Sequence, residues 1–361
     1  MNSKLKIILI IGIALLLGGI GVGTAGFAMG GMKAVAIQAS GLQVIDESHE
    51  AQIAKVDETF ENVAAINVSL DSIESVRVKE GPALTVRGQQ FIPFGGLAAA
   101  RAEDGTLAVT HSVKRTLPYG IIDFPSVFRA AINSHSSSYL EITVPQGTSL
   151  AAITIDLDLG GVEIDSAVAE RMDIKVDAGK ISASNLTCES FSIDSDFGDV
   201  DVQNVNANDV VVTGDSGNMK LWNLTAPGSL TLTSSFGSVD LEAVNAGTSD
   251  VDLSSGDFSA RGMSVADGMK LNVDFGSIKF TGSLRGDKNI ITSASGDTDL
   301  ALNGRQDDYA ISVESNAGEV RLGDRGFTDY VHGRVESGPS SAPNKVEIIS
   351  NFGNVDVTFR G

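Results

Sequence analysis

The sequence predicts an all-β protein, a single-stranded β-solenoid of about 20-residue coils that is preceded by one N-terminal transmembrane helix. Three observations predict this fold. Glycines recur at nearly constant intervals from Gly160 onwards, apolar and polar side chains alternate on both sides of each glycine, and residues 7–32 form an uncharged, largely apolar run. The first two observations indicate stacked β-coils, and the third indicates a membrane span.

The composition excludes several classes of function. Counting Lys+Arg 26 against Asp+Glu 46 gives a net charge of −20, and the pI is near 4.5. Because such an acidic surface repels phosphates, we expect no nucleic-acid partner. The single cysteine cannot form an intramolecular disulfide or a thiolate metal cluster, so a disulfide scaffold and a zinc ribbon are excluded as well.

Residues 1–33 are predicted to be a membrane anchor. Lys4 and Lys6 precede the apolar run 7–32 and Lys33 follows it, and this run exceeds the about 20 residues that a span requires. The positive-inside rule places the N-terminus in the cytoplasm and the acidic C-terminal domain in an extracellular or periplasmic space. The alternative is a signal peptide that is cleaved near the small residues around Ala25 and Ala28.

The rest of the chain divides into three predicted regions. Residues 34–65 are polar and alanine-rich, which indicates a stalk or a short helix between the membrane and the body. Residues 66–152 are predicted to form irregular first coils and a cap, with an insertion at 114–138, and residues 153–361 the regular coils, with an insertion at 323–344. A cap is expected because the end of a solenoid otherwise exposes its core and unpaired strand edges.

Each regular coil is predicted to run through a strand, a glycine corner and a second strand. Around Gly198, apolar residues point inward at three places in the coil. These are Ile193 before the glycine, Val200 and Val202 on the strand after it, and Val205 further along, and the same positions are apolar in most other coils. A sharp corner between strands often needs a positive φ, which glycine adopts freely. The corner glycines are Gly160, Gly179, Gly198, Gly217, Gly237, Gly256, Gly276, Gly296, Gly318 and Gly353. The sequence therefore predicts a three-sided coil.

The residue before each corner glycine alternates between a large and a small side chain. It is Phe197, Ser216, Phe236, Ser255, Phe275 and Ser295 in successive coils, then Ala317 and Phe352. A phenyl ring is too thick to stack on itself at one coil spacing, so a small neighbour leaves it room. Packing thus accounts for the alternation, and these phenylalanines are not predicted to be a ligand-binding stripe.

The corner units resemble a known bacterial family. Asp196–Val200, Ser254–Phe258 and Ala294–Thr298, with the preceding Ser138–Pro145, are similar to the β-strand-repeat family of putative adhesins. Members are domains of unknown function in envelope proteins, and some accompany cell-envelope stress regulators. The resemblance runs from Ile66 to Gly361 with insertions, and it implies the solenoid fold, because its motifs are structural turns. It brings no catalytic residues.

Two apolar segments outside the regular coils are candidate contacts for a partner. The insertion 114–138 contains Phe124, Phe128 and Arg129, a combination suited to an interface, although capping the solenoid explains these side chains as well. The second insertion contains Phe327 and Tyr330, and it is predicted to be a side loop over the last coil. An envelope protein or a wall polymer is the expected partner of such surfaces.

The sequence contains few candidates for chemistry. Gly214–Gly217 resembles the nucleophile loop of trypsin-like proteases, but Ser216 falls on the repeat as its small corner residue and no histidine lies within the repeats. Asp194, Asp196, Asp199 and Asp201 form a weak candidate site for Ca²⁺, with an ordinary hydrated surface as the favoured alternative. No other metal or cofactor is predicted.

The predicted function is therefore non-enzymatic. We expect a membrane-anchored cell-envelope protein, acting either as a putative adhesin or as an accessory interaction scaffold in envelope stress. The alternative is a carbohydrate-active β-helix enzyme, a lyase or hydrolase, in which the same four aspartates would supply the carboxylates. Short coils without long loops to form a substrate cleft count against this alternative.

Overall fold

The computed structural model describes residues 34–38, 41–45, 53–91, 96–111, 138–323, 325–326 and 333–361. The chain forms two compact units, of which the second comprises Lys55–Gln90, Leu97–Ser112 and Ser138–Gly361. Apart from a 3-10 turn at Gln306–Asp308, the regular elements of the described ranges are strands. They are β1 (Ala34–Gln38), β2 (Gly41–Ile45), β3 (Ile53–Thr59), β4 (Ala65–Gly81), β5 (Thr85–Phe91), β6 (Ala98–Arg101), β7 (Thr106–Thr110), β8 (Tyr139–Pro145), β9 (Ser149–Ile164), β10 (Ala167–Ala178), β11 (Ile181–Phe197), β12 (Val200–Ser216), β13 (Met219–Phe236), β14 (Val239–Ser255), β15 (Phe258–Val265), β16 (Met269–Phe275), β17 (Ile278–Leu284), β18 (Asn289–Ser295), β19 (Thr298–Asn303), β20 (Tyr309–Ser315), β21 (Val320–Leu322), β22 (Arg325–Gly326), β23 (Gly333–Ser337), β24 (Asn344–Phe352) and β25 (Val355–Arg360).

The segment predicted as a stalk or short helix, residues 34–65, contains strands where it is described. In the first unit β1 and β2 form an antiparallel hairpin, and β3 begins at Ile53, so the described residues of this segment contain strands and no helix. Within the described ranges, we find no helix with the length and apolar character needed to cross a bilayer. The predicted span 7–32 lies outside the described residues.

The second unit is a β-solenoid, as the glycine spacing predicts. Each strand pairs in parallel with the equivalent strand of the next coil, so Ile174 lies beside Ile193, Ile193 beside Val212, and Val212 beside Leu232. Backbone hydrogen bonds therefore run along the stack, at about 4.8 Å per coil. Each coil buries its apolar face against its two neighbours, which is how a repeat too small to fold alone becomes stable.

The core is built from the columns that the sequence identifies. The side chains two and four positions after each corner glycine are at most 2% exposed in every coil from Val162 to Val357. The column five positions before the glycine, from Ile174 to Ile348, and the third inward point, from Leu186 to Leu284, are equally buried. The prediction of three inward points per coil is confirmed.

The corner glycines stack directly on one another. Their φ angles lie between +134° at Gly217 and +157° at Gly179. Contact adds to this conformational requirement, because a β-carbon on Gly256 would lie 2.1 Å from the carbonyl oxygen of Gly237 in the preceding coil. The period of the glycines thus records the close approach of two backbones as well as a turn.

A second corner, which the sequence analysis did not identify, is occupied by asparagines. Asn185, Asn204 and Asn223 adopt left-handed φ angles of 56°, 52° and 51°. Their side chains form a ladder, in which Asn204 Nδ2 donates to Asn185 Oδ1 at 3.0 Å and Asn223 Nδ2 donates to Asn204 Oδ1 at 2.7 Å. Asparagine is one of the few residues other than glycine that tolerate this backbone conformation.

The ladder stops at Ala243, which predicts a stabilising substitution. Ala243 keeps the left-handed φ of 54°, although this backbone conformation is energetically unfavourable for alanine. It lies opposite Asn223, between the pairs Trp222–Glu242 and Leu224–Val244. We expect Ala243→Asn to raise the free energy of unfolding by about 1 kcal/mol in thermal or denaturant melts. Ala243→Gly relieves only the backbone, so an asparagine variant no more stable than the glycine variant would contradict a contribution from the ladder.

At the C-terminal end, the order of coils in space differs from their order in sequence. Strand β24 lies between β18 and β20, and β25 lies between β19 and β21. The last coil of the chain, β24–β25, therefore lies between two coils that precede it in sequence. The terminal coil is then covered by antiparallel strands, β23 on β20 and β22 on β21. The described residues of the insertion 323–344 therefore contribute edge strands to the end coil.

The N-terminal end uses the same arrangement. Strand β4 lies between β9 on one side and the strands β7 and β8 on the other, although both β7 and β8 follow it in sequence. Antiparallel strands again cover the outer coil, β5 on β8 and β6 on β7. Near each end of the solenoid, one coil thus lies between two others. The antiparallel strands pair with backbone N–H and C=O groups of the outermost coil, which would otherwise be left unpaired at its edge.

Cys188 lies inside the solenoid. It belongs to β11, in register with Ala207. Burial raises the pKa of its thiol to about 12, so the thiolate that reacts with oxidants and metals is not populated at neutral pH. Cys188 is therefore a small, chemically passive side chain of the core.

Candidate functional site

The exposed apolar surface of the solenoid is concentrated in one column beside the corner glycines. Phe197, Phe236, Phe275 and Phe352 are 62%, 64%, 66% and 65% exposed, and Leu159 continues the column with 54%. Strict alternation would turn these side chains inward, since the residues two and four positions before each are buried. The chain bends at the corner, so the residue before the glycine points outward instead.

The phenylalanines of this column are surface residues rather than core residues. The rings do not fill the core, so the burial of apolar area does not explain why they recur. The alternation with small residues is nevertheless retained in space: Phe197 lies beside Ser216, Ser216 beside Phe236, Phe275 beside Ser295, and Ser295 beside Phe352. Successive rings are separated by two coil spacings, a distance of about 9.6 Å.

Short polar side chains border each ring of the column. The residues one position before and two positions after the phenylalanine are aspartate, serine or asparagine in all four cases, and all are exposed or half-buried. The pairs are Asp196 and Asp199 for Phe197, Ser235 and Ser238 for Phe236, Asp274 and Ser277 for Phe275, and Asn351 and Asn354 for Phe352. Each ring is thus an apolar platform with a hydrogen-bonding group on either side.

Hydrogen bonds between coils fix one side of this border. The side chain directly after the corner glycine accepts from the backbone N–H of the equivalent residue in the next coil. Asn218 N donates to Asp199 Oδ1 at 2.9 Å, Ser238 N to Asn218 Oδ1 at 3.1 Å, and Ser277 N to Asp257 Oδ1 at 2.8 Å. Among the groups beside the rings, Asp199 accepts in this way, and so do Ser238 Oγ, from Asp257 N at 3.2 Å, and Asn354 Oδ1, from Glu319 N at 3.0 Å. These three side chains therefore have little freedom to reorient.

The structure separates the four aspartates of the candidate calcium site. Asp201 is paired with Lys180, whose pKa is raised by the hydrogen bond to that carboxylate, and Asp199 accepts the N–H of Asn218. Asp194 is exposed and Asp196 half-buried on the same strand, β11. In the part of the chain that the structure describes, no three His, Cys, Asp or Glu side chains are grouped so that they could hold a metal ion.

The predicted partner contacts in the two insertions fall outside the described residues. This applies to Phe124, Phe128 and Arg129 in the insertion 114–138, and to Phe327 and Tyr330 in the insertion 323–344. Their roles as contacts or caps stay predictions.

One further exposed aromatic lies at the asparagine corner. Trp222 is 51% exposed and borders an open depression that Asn204, Asn223 and Glu242 also line. It is a single ring with no counterpart in the neighbouring coils, where Gln203 and Glu242 occupy its register. Trp222 therefore differs from the column in having no periodicity, and it provides a matched control for experiments on the phenylalanines.

A family profile described as Toastrack, DUF4097, matches residues 63–283 and 198–358, which together span the solenoid. The chain belongs to the Toastrack family. The resemblance to a β-strand-repeat family of putative adhesins, derived from the corner units, is thereby confirmed. Among curated proteins, none matches this Toastrack chain.

Solved structures from several bacteria are similar to this chain at low identity. A putative adhesin from Bacteroides fragilis is 13% identical with a TM-score of 0.33, and the match covers 86% of this chain and 98% of that one. A putative lipid binding protein from Parabacteroides distasonis is 11% identical with a TM-score of 0.37, with coverage of 86% and 98%. A putative cell adhesion protein from Clostridium sporogenes is 6% identical with a TM-score of 0.22, with coverage of 85% and 100%.

Proposed function

We propose that this Toastrack protein is a non-enzymatic interaction scaffold of the cell envelope that acts as an adhesin. In this proposal residues 7–32 anchor the chain, the N-terminus is cytoplasmic, and the solenoid is presented in the extracellular or periplasmic space. The observation that carries the proposal is the column of four phenylalanines that are 62–66% exposed. The partner is an envelope component that covers these rings.

The column has the properties of a binding surface. Exposed apolar residues that are scattered singly need no explanation, whereas a row of large ones rimmed by polar residues is typical of an interaction site. The fold does not require phenylalanine here, because serine occupies the same position in the intervening coils at Ser216, Ser255 and Ser295. A repeated aromatic that the fold does not require supports a role in binding.

The accessory role in envelope stress is a finer alternative within the same proposal. It requires a membrane protein as the partner, whereas adhesion requires a wall polymer or another cell surface. The aspartates of the alternative enzyme, Asp194, Asp196, Asp199 and Asp201, are separately placed, and their joint substitution tests that alternative through any cleavage of glycans. A cleavage activity that survives the substitution would remove them as catalysts.

The proposal is tested by the binding of the full-length chain, in mild detergent, to isolated cell envelopes. We expect the double variant Phe236→Ser, Phe275→Ser to bind at least tenfold more weakly in a sedimentation assay, since burying one phenylalanine side chain stabilises by about 1.5–3 kcal/mol. Trp222→Ser, which removes an aromatic side chain that is 51% exposed and lies outside the column, should bind like the wild type. Unchanged binding of the double variant would contradict the proposed role of the column.

A further inference from the structure

We propose that the phenylalanine column binds an uncharged β-linked glycan chain, with successive rings stacking against every second sugar. The inference rests on the proposed function and names its ligand class. Four rings, at Phe197, Phe236, Phe275 and Phe352, lie at equal intervals of two coils in a single row. Their number and regularity indicate a ligand that is itself a linear repeat.

The interval between the rings discriminates among linear ligands. Two coil spacings are about 9.6 Å, whereas like-facing residues recur at about 6.8 Å in an extended strand and two helical turns advance about 10.8 Å. A peptide strand would lose register after one ring. In a straight helix, side chains seven residues apart drift around the helix axis by about 20° per two turns, so over the three intervals between the four rings they turn away from the row. In a β-1,4-linked glycan neighbouring sugars are flipped, so the same face recurs once per disaccharide, close to two coil spacings. Successive rings can then meet equivalent sugars.

The chemistry of each platform suits a sugar. The C–H groups on the face of a pyranose are apolar and pack on a phenyl ring, while its hydroxyl groups project from the edges. The side chains beside the rings, such as Asp196 and Asp199 at Phe197 or Asn351 and Asn354 at Phe352, lie where those edges would pass. Carboxylates accept hydrogen bonds from hydroxyl groups, and amides both accept and donate them. The serines of the intervening coils leave space for the alternate sugars.

Charge selects among the polymers of an envelope. The chain carries a net charge of −20, and Asp199, Asp215, Asp257 and Asp274 lie along the column. Phosphate-bearing polymers and anionic lipid surfaces are repelled by such a border. A glycan with hydroxyl groups and no net charge complements it, because the hydroxyl groups donate to the carboxylates without bringing a second negative charge.

The test is a titration of the full-length chain in mild detergent with β-1,4-linked glucose and N-acetylglucosamine oligomers of two, four and six sugars. We expect affinity to increase with each added disaccharide, because each engages one more ring. Phe236→Ser with Phe275→Ser should weaken hexamer binding at least tenfold, while Trp222→Ser should leave it unchanged. Serine is native at this position in alternate coils, so thermal melts of the double variant should match the wild type.

The other outcomes overturn the inference. If neither hexamer binds, if affinity is independent of length, or if Trp222→Ser weakens binding as much as the double variant, the column is not a glycan site. Envelope binding that depends on Phe236 and Phe275, in the absence of oligomer binding, would assign the column to a protein partner and leave the proposed function intact. Loss of both dependences would contradict the proposed function as well.

Discussion

Gly256→Ala is expected to unfold or severely destabilise the solenoid. The added β-carbon would lie 2.1 Å from the carbonyl oxygen and 2.5 Å from the carbonyl carbon of Gly237, and backbone atoms of a hydrogen-bonded coil cannot move aside. The φ of +137° adds a conformational cost. We expect a loss of more than about 4 kcal/mol in the free energy of unfolding, measured by denaturant titration.

A second glycine separates the clash from the backbone strain. Gly333 has a φ of +131°, close to that of Gly256, but no heavy atom of the described residues lies within 4 Å of the position its β-carbon would take. Gly333→Ala therefore carries the conformational cost alone, about 1–3 kcal/mol. Equal destabilisation by the two substitutions would show that the contact between stacked corners contributes nothing.

Removal of residues 344–361 is expected to detach the coil that precedes them in sequence. Strands β24 and β25 lie between β18–β19 and β20–β21, and they bury Val346, Ile348, Val355 and Val357 at 0–1% exposure. Burying one such side chain is worth about 1.5–3 kcal/mol, so on the order of 5 kcal/mol or more should be lost at this end of the stack. Hydrogen exchange should show β20 and β21 unprotected in the truncated chain, with β11 and β12 protected as in the full-length chain.

The alternative outcome is informative because the terminal coil resembles the one it would replace. Strand β20 carries inward Ile311 and Val313, so it has the apolar side chains needed to stack directly on β18 once β24 is gone. Protected amides in β20 of the truncated chain would mean that it has done so, and that the inserted coil is not required to hold the end.

The regular coils could be predicted from the sequence because one constraint repeats in every coil. The glycine column and its apolar neighbours occur about ten times, so a single coil with an exception, such as Thr298 in the first inward column, does not obscure the pattern. The asparagine corner carries the same signal in Asn185, Asn204 and Asn223, at intervals of 19 residues, but it ends after three coils and is easily missed beside the glycines.

The orientation of the phenylalanines and the order of the end coils could not be predicted in this way. Period two places Phe197 on the same side as Ser195, and only the bend at Gly198 reverses it. The inserted coils at both ends depend on which strand pairs with which, a long-range choice between β20 and β24 that have equivalent patterns. Local sequence cannot decide between two coils that would pack equally well.

The most direct test of the account is photo-crosslinking in intact cells from a reactive amino acid placed at Phe236 and, separately, at Trp222. Both positions are exposed to a similar degree, but only Phe236 belongs to the column. We predict crosslinks to an envelope component from position 236 and none from position 222. Silence at position 236, or the same products from both positions, would contradict the claim that the phenylalanine column is the binding surface of this protein.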